Sequence, residues 1–289
     1  MKLIDVINKA TSEGKAVGHF NISNLEAFNA IVKTAKKLNV PVIIGVSEGE
    51  RDFVGVSNAV ALVASARKTG GADGRSAEIF LNADHTYSYE RSVEAIDAGF
   101  DSVIIDCASK SKEESIEVTK RVVEYAKDKG VLVEGELGYI GQSSKVLDAL
   151  PEGVSIDPDS LTQPSEAHDF TEKTAVDLLA PAVGNVHGLI RGGNPALNIE
   201  RIKEIKEATG VPLVLHGASG ITDEELHLAV LAGISVVHYN TELRVAYRDA
   251  LIKSLAENKD EVAPYKYLKA GEDAIAEVVE KKLRIMNGL

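Results

Sequence analysis

The chain carries a single cysteine, Cys107, among its 289 residues. One thiol cannot close an intrachain disulfide or build a cysteine-based zinc ribbon, so any metal must be held by His, Asp or Glu. Positive charge is scarce as well: 32 Lys and Arg stand against 44 Asp and Glu, a net charge of −12. A nucleic-acid backbone needs a basic surface that this balance does not supply, and no nucleic-acid partner is expected. A small anion needs only a local positive site, which a metal, an arginine or a helix N-terminus provides. No apolar run approaches the ~20 residues of a membrane span, so no membrane partner is expected either. The opening MKLIDVINKATSEGK lacks the continuous apolar centre and small-residue cleavage site of a secretion signal, which places the protein in the cytoplasm.

No Pro/Ser-rich linker divides the chain, and a composition of 44% hydrophobic and 26% charged residues is that of an ordinary globular protein. A short β-branched run, a turn and an amphipathic helix recur along its length, the pattern of a parallel sheet. The runs predict strands at 16–20, 42–46, 79–83, 102–106, 132–136, 178–182, 212–216 and 235–239. Eight strands in this alternation suggest a (β/α)8 TIM barrel, a fold that uses about 250 residues as one domain, here 1–289. A doubly wound open sheet has the same periodicity. The position of the unusual polar residues favours the barrel, because nearly all of them fall at C-terminal strand ends, where barrel enzymes assemble their sites.

Helix starts are marked by Ser23/Glu26, Ser111/Glu114 and Thr222/Glu225, each a Ser or Thr three residues before a Glu. Gly130, Gly210 and Gly233 follow helical patterns as stops. One stretch breaks the rhythm: 138–166 is too long for a barrel connection and reads as a lid.

Of seven histidines, three lie on or just after strand ends: His85 in NADHTYS, His187 in GNVHGLI and His216 in LVLHGASG. Three imidazoles with an open fourth position make a catalytic zinc site. Taken singly, a histidine is more often an ordinary core or surface residue. Asp84, beside His85, is placed to support a ligand or to shuttle a proton, or else to cap the next helix. Glu136 and Asp106 end apolar strands, as metal-site carboxylates do and as salt-bridged strand ends also do. The HGASGIT run from His216 to Thr222 can cradle a phosphate, and Arg191 can pair with one. Asn240 and Thr241 either close that pocket or cap the helix expected from Glu242.

These residues resemble the class II, metal-dependent fructose- and tagatose-bisphosphate aldolase family. The likeness runs through HFNISNLEA, the Asp-His pair of NADH, VEGELGYIG, APAVGNVHGLIRGGNPAL, PLVLHGASGITDEEL and NTEL, in one order along almost the whole chain. The resemblance implies that His85, His187 and His216 bind one catalytic Zn2+ per chain, with Glu136 near the metal and a monovalent cation allowed beside it. It also implies that Asp84 exchanges the proton on the C4 hydroxyl. Ser47, Gly188, Arg191, Gly217, Ser219, Asn240 and Thr241 then contact substrate and its phosphates, in a homodimer or homotetramer serving glycolysis.

The chain departs from the family in places. Ser143 and Ser144 stand where the lid usually bears a glutamate, His238 replaces an asparagine, Arg191 a lysine, Ala218 a glycine, and Cys107-Ala108 a Gly-Ser pair. The lid glutamate's proton transfer therefore needs another group. Asp148 and Glu152 lie on the lid, and His238 lies at a rigid strand end, which positions a group better and makes it the preferred candidate.

Cleaving a ketose between C3 and C4 leaves an enediolate that a Lewis acid stabilises, and no expected strand ends in a lysine for the Schiff-base alternative. The reading is a zinc-dependent ketose-bisphosphate aldolase. A metal-dependent barrel hydrolase and a noncatalytic sugar-phosphate-binding protein are its rivals.

Overall fold

The computed structural model describes residues 1–69, 77–108, 110–142 and 144–289. Among these described residues ten strands form: β1 (Val17–Asn21), β2 (Val42–Val46), β3 (Ile79–Thr86), β4 (Ser102–Ile105), β5 (Leu132–Leu137), β6 (Val146–Leu147), β7 (Leu178–Pro181), β8 (Leu189–Ile190), β9 (Leu213–Leu215) and β10 (Ile234–Tyr239). Eight of them close into a barrel in the order β1-β10-β9-β7-β5-β4-β3-β2, all neighbours parallel. Closure excludes the open-sheet alternative. Each expected strand lies on an observed one. The other two strands pair only with each other and join the lid to the loop after β7, Val146 opposite Leu189 and Leu147 opposite Ile190.

Side chains alternate along a strand, so each barrel strand serves two cores. Outward residues such as Phe20, Ile44, Leu81, Val133, Leu179, Leu215 and Val237 pack against the surrounding helices. Inward residues Val17, Ile43, Phe80, Leu178, Val214 and Val236 make a smaller interior core, and the first helix, Leu3–Ser12, plugs it with Leu3, Val6 and Ile7. Two residues further along several of these strands the inward positions become polar: Val17 gives way to His19 and Asn21, Phe80 to Asn82 and Asp84, Val214 to His216, Val236 to His238 and Asn240. The period that places the apolar core thus also stacks a polar layer above it.

The capping boxes at Ser111 and Thr222 form as expected. The one expected at Ser23 does not: helix Leu25–Leu38 is capped by Asn24, whose side chain accepts from the Ala27 N–H. Asparagine is at least as good a cap as serine, and it sits one residue closer to the helix. Asp84 caps nothing, because Ser88 accepts from Arg91 N–H at the start of Tyr89–Ala98. Among the described residues no helix is long and apolar enough to cross a membrane.

Candidate active site

The polar layer opens into a cavity at the C-terminal mouth of the barrel, lined by Asp84, His85, His187, His216 and His238 together with residues from the following loops. His85 stands near the end of β3, His216 one residue beyond β9, and His187 in the loop after β7. Their rings converge, with centroids 4.8 Å apart for His85 and His187, 5.0 Å for His85 and His216, and 5.8 Å for His187 and His216. One donor nitrogen from each lies within 4.8 Å of the others.

Each ring is held by a partner on its other nitrogen. His85 Nδ1 donates to Asp106 Oδ2 at 2.9 Å, His187 Nδ1 to the Gly141 carbonyl at 2.6 Å, and His216 Nε2 bonds Glu134 Oε1 at 2.7 Å. That leaves His85 Nε2, His187 Nε2 and His216 Nδ1 for a common centre, and His216 Nδ1 is buried with no hydrogen-bond partner. Histidines that ligate metals are oriented in this way, by a carboxylate or carbonyl on the remote nitrogen. Electrostatics ask for a cation at the same place. Burial alone would lower the pKa of His85, but Asp84, Asp106 and Glu136 raise it to about 10. Burial and the charge of His85 push His187 down to about 4. The donor set and the surrounding charge therefore fit a divalent ion.

Glu136 stands next to this centre. Its Oε2 is 3.5 Å from His85 Nδ1 and 3.8 Å from His216 Nδ1, and it has no hydrogen-bond partner. It clusters with His85 and Asp106, not with the set of three histidines. Burial, together with Asp106 and Asp84, raises its pKa to about 8 against the opposing effect of His85.

Asp84 is buried, with Oδ2 accepting from Asn21 Nδ2 at 2.8 Å and Oδ1 unpartnered. Burial opposes its ionisation, but His85, His238 and His19 outweigh it and hold the carboxyl well below its usual range. It is therefore a carboxylate with one free oxygen beside the three-histidine centre. His238 Nδ1 lies 3.6 Å from that oxygen. The His238 ring is sandwiched between His19, at 3.5 Å and 3°, and His216, at 4.3 Å and 19°. Burial and His19 lower the pKa of His238 to about 3 despite the pull of Asp84.

Gly188, Gly217, Ser219 and Thr241 all line the cavity. Gly217 has φ +61, and a Cβ there would meet the Val186 carbonyl oxygen at 2.3 Å, so only glycine lets the backbone pass so close to the His187 loop. Helix Thr241–Glu257 begins one residue earlier than expected, with Asn240 as its N-cap residue. The Asn240 side chain caps nothing. The cap comes from Ser219, whose Oγ accepts from Glu242 N–H at 3.0 Å. Ser47 and Asn240 also line the cavity.

Arg191 is not brought there. Its side chain is 71% exposed and its Nε pairs with Asp148 Oδ1 at 3.0 Å, because β6 and β8 set the two residues side by side outside the mouth. Asp148 is in consequence turned away from the site, and Glu152 is exposed. From the lid, Gln142 and Ser144 reach the cavity; Ser143 lies outside the described residues.

Five residues at the site lie outside the set expected from the sequence. His19 and Glu134 face inward within strands, and only the two-residue alternation could have signalled them; Asn21 is the last residue of β1, a polar strand end that the sequence reading passes over. Glu50 is buried on the helix after β2, accepting from Asn21 Nδ2 at 2.7 Å and from Ser47 N and Oγ at 2.8 and 2.9 Å. Its other oxygen accepts from Arg244 Nη2 at 2.6 Å, and Arg244 lines the cavity as a second cationic feature.

The model of the family described as fructose-bisphosphate aldolase class-II matches residues 1–288. The chain is 38% identical over 281 residues to the fructose-bisphosphate aldolase of Staphylococcus epidermidis, covering 97% of this chain and 94% of that one. It is 37% identical over 285 residues to the fructose-bisphosphate aldolase of Geobacillus stearothermophilus, with the same 97% and 94%. Among solved structures, the YdjI aldolase from Escherichia coli K12 aligns with a TM-score of 0.79 at 28% identity, covering 99% of this chain and 96% of that one. Fructose-bisphosphate aldolase from Campylobacter jejuni aligns with a TM-score of 0.76 at 23% identity, 99% and 95% covered, a likeness of fold alone.

Proposed function

The chain belongs to the class II fructose-bisphosphate aldolase family, and from that premise we propose that it is a zinc-dependent lyase. It reversibly cleaves fructose or tagatose 1,6-bisphosphate into dihydroxyacetone phosphate and glyceraldehyde 3-phosphate. The observation that carries this is the convergence of three otherwise tethered histidines beside the free Oδ1 of Asp84. His85, His187 and His216 would hold the ion, with Glu136 next to it. When bound, the ion supplies Lewis-acid stabilisation of the oxyanion that carbon–carbon cleavage leaves.

The remaining work falls to the chain. Asp84 Oδ1 accepts the C4 hydroxyl proton in cleavage and returns it in condensation, while Asn21 fixes the other oxygen. Gly188, Gly217, Ser219 and Thr241 offer one phosphate a glycine-opened backbone at the N-terminus of helix Thr241–Glu257. Arg244, aimed by Glu50, and Ser47 offer the other phosphate a charge and a hydroxyl. Fixing both ends holds the reacting bond in place. The reading is completed by a cytoplasmic homodimer or homotetramer of single-domain barrels.

The test is an aldol-cleavage assay on both bisphosphates, run with metal analysis. About one divalent ion per chain is expected, with turnover abolished by chelation and restored by zinc or cobalt. Full turnover of metal-free protein, or inactivation by borohydride in the presence of substrate, would point to a Schiff base and sink the proposal.

For His238 we propose a part other than that of proton carrier. A ring whose pKa is about 3 is neutral at pH 7 and too weak a base to collect a proton from carbon. A neutral imidazole facing Asp84 is suited instead to donate a hydrogen bond to that carboxylate or to a substrate oxygen. His238→Ala is accordingly expected to slow cleavage about tenfold, the rate equivalent of one hydrogen bond of about 1.4 kcal/mol. It should leave intact the exchange of the carbon-bound hydrogen of dihydroxyacetone phosphate with deuterated water. Loss of that exchange, with metal content unchanged, would return the ring to the role of proton carrier.

A further inference from the structure

Successive side chains of a regular strand point to opposite faces, yet the adjacent residues Asp84 and His85 both line the cavity. The irregularity that permits this is visible in the pairing of β3 with β4. Ala83 stands opposite Val103 and Thr86 opposite Ile105, so β3 holds one residue more than its partner over this stretch. This is a β-bulge, the device by which strands re-aim side chains near active sites. His85 pays for it with φ +32, in the left-handed region that a non-glycine residue enters only when its surroundings impose it.

The surroundings contain an unusual group. Arg51, on helix Glu48–Val54 after β2, is fully buried, and among the described residues no carboxylate oxygen lies within 4 Å of its guanidinium. Its Nη1 donates to the Val46 carbonyl at 3.1 Å and to the Asp84 carbonyl at 3.3 Å, and its Nη2 donates to Thr86 Oγ1 at 3.2 Å. These acceptors are the end of β2 and the two residues that flank His85. A buried charge without an ionic partner is costly, and an apolar side chain would fill the same space at lower cost, so stability alone does not account for it.

We propose that Arg51 is the positioning residue of the site: its guanidinium fixes the Asp84–His85 bulge and so turns the proton-carrying carboxylate and a metal-binding histidine to the same side of β3. This rests on the roles given above to Asp84 and His85. Lysine in place of Arg51 keeps the charge but cannot reach both flanks of the bulge with a planar fork.

The experiment uses Arg51→Lys in the full chain. A crystal structure of the metal-free variant is expected to show the Asp84–His85 peptide turned and His85 outside the left-handed region. Zinc affinity, measured against a competing chelator, should fall about tenfold, at the lower edge of effects seen when support behind a ligand is lost. The visible absorption of the cobalt form should shift, and kcat should fall by more than KM changes, since the Arg51 guanidinium bonds none of the residues given to the phosphates. A variant that melts lower yet keeps the His85 backbone, the zinc affinity and the cobalt spectrum would show ordinary structural support and overturn the proposal. If Arg51→Lys does not fold, Thr86→Val removes one of the three acceptors and is read in the same way. The backbone readout needs no metal. Failure of the unsubstituted protein to bind zinc would therefore overturn the metal reading while leaving the crystal structure to decide Arg51.

Discussion

Asp84→Ala is expected to retain its metal and lose turnover by roughly 10²-fold or more, the scale of a lost general acid or base. The separation of the two effects follows from the geometry. Each of the three rings is held from behind by a group other than Asp84, namely Asp106, the Gly141 carbonyl and Glu134, although Asp84 Oδ1 also lies 3.9 Å from His85 Nε2. The free Oδ1, in contrast, has no substitute at that position. The fall should appear in kcat more than in KM, since Asp84 is itself none of the residues given to the phosphates. Metal analysis of the purified variant and steady-state cleavage of the preferred bisphosphate decide the matter. Release of metal together with full activity on reconstitution would make Asp84 a support for the ion and remove it from the chemistry.

His216→Ala should do the reverse and lose the ion. Two of three ligands remain, and the expected fall in zinc affinity exceeds the 10- to 100-fold typical of a lost supporting partner. Glu134→Gln supplies that milder comparison, since it replaces the carboxyl group behind the His216 ring and keeps the ring itself. The ordering expected in a chelator competition is unsubstituted protein tightest, Glu134→Gln intermediate and His216→Ala weakest. Circular dichroism on the same samples separates a lost ligand from a lost fold. An His216→Ala protein that is folded and binds zinc as tightly as the parent would dismantle the three-histidine centre.

The legibility of the sequence differs between parts of this site for physical reasons. Strand positions and the three converging histidines could be read because hydrophobic periodicity reports burial and because polar residues at strand ends interrupt it. His19 and Glu134 were not read, since they lie inside strands where a polar residue looks like a break in the pattern, and what tolerates them is a polar layer that exists only once the barrel is closed. Glu50 and Arg244 join through a contact that local spacing cannot reveal, from the helix after β2 to the helix after β10. Arg191 departs from its expected place in the other direction. Its nearness to His187 in sequence suggested the phosphate pocket, but the short β6–β8 ladder directs it outward to Asp148. At Ser23 two good caps stood side by side, and sequence alone gives no reason to prefer one over its neighbour.

Barrel closure also has a consequence for the order in which the molecule can be made. The seam of the barrel pairs Val17 with Val236 and His19 with His238, and the His19 and His238 rings stack across it at 3.5 Å. The two sides of that seam leave the ribosome roughly 10 to 40 s apart at 5–20 residues per second. Until β10 emerges, β1 has one unpaired edge, the Leu3–Ser12 plug lacks Val236 beneath it, and the column of stacked imidazoles is missing its middle ring. The first strand of the barrel must therefore wait for the last, and until then the future active site is divided between an exposed edge and a segment not yet made.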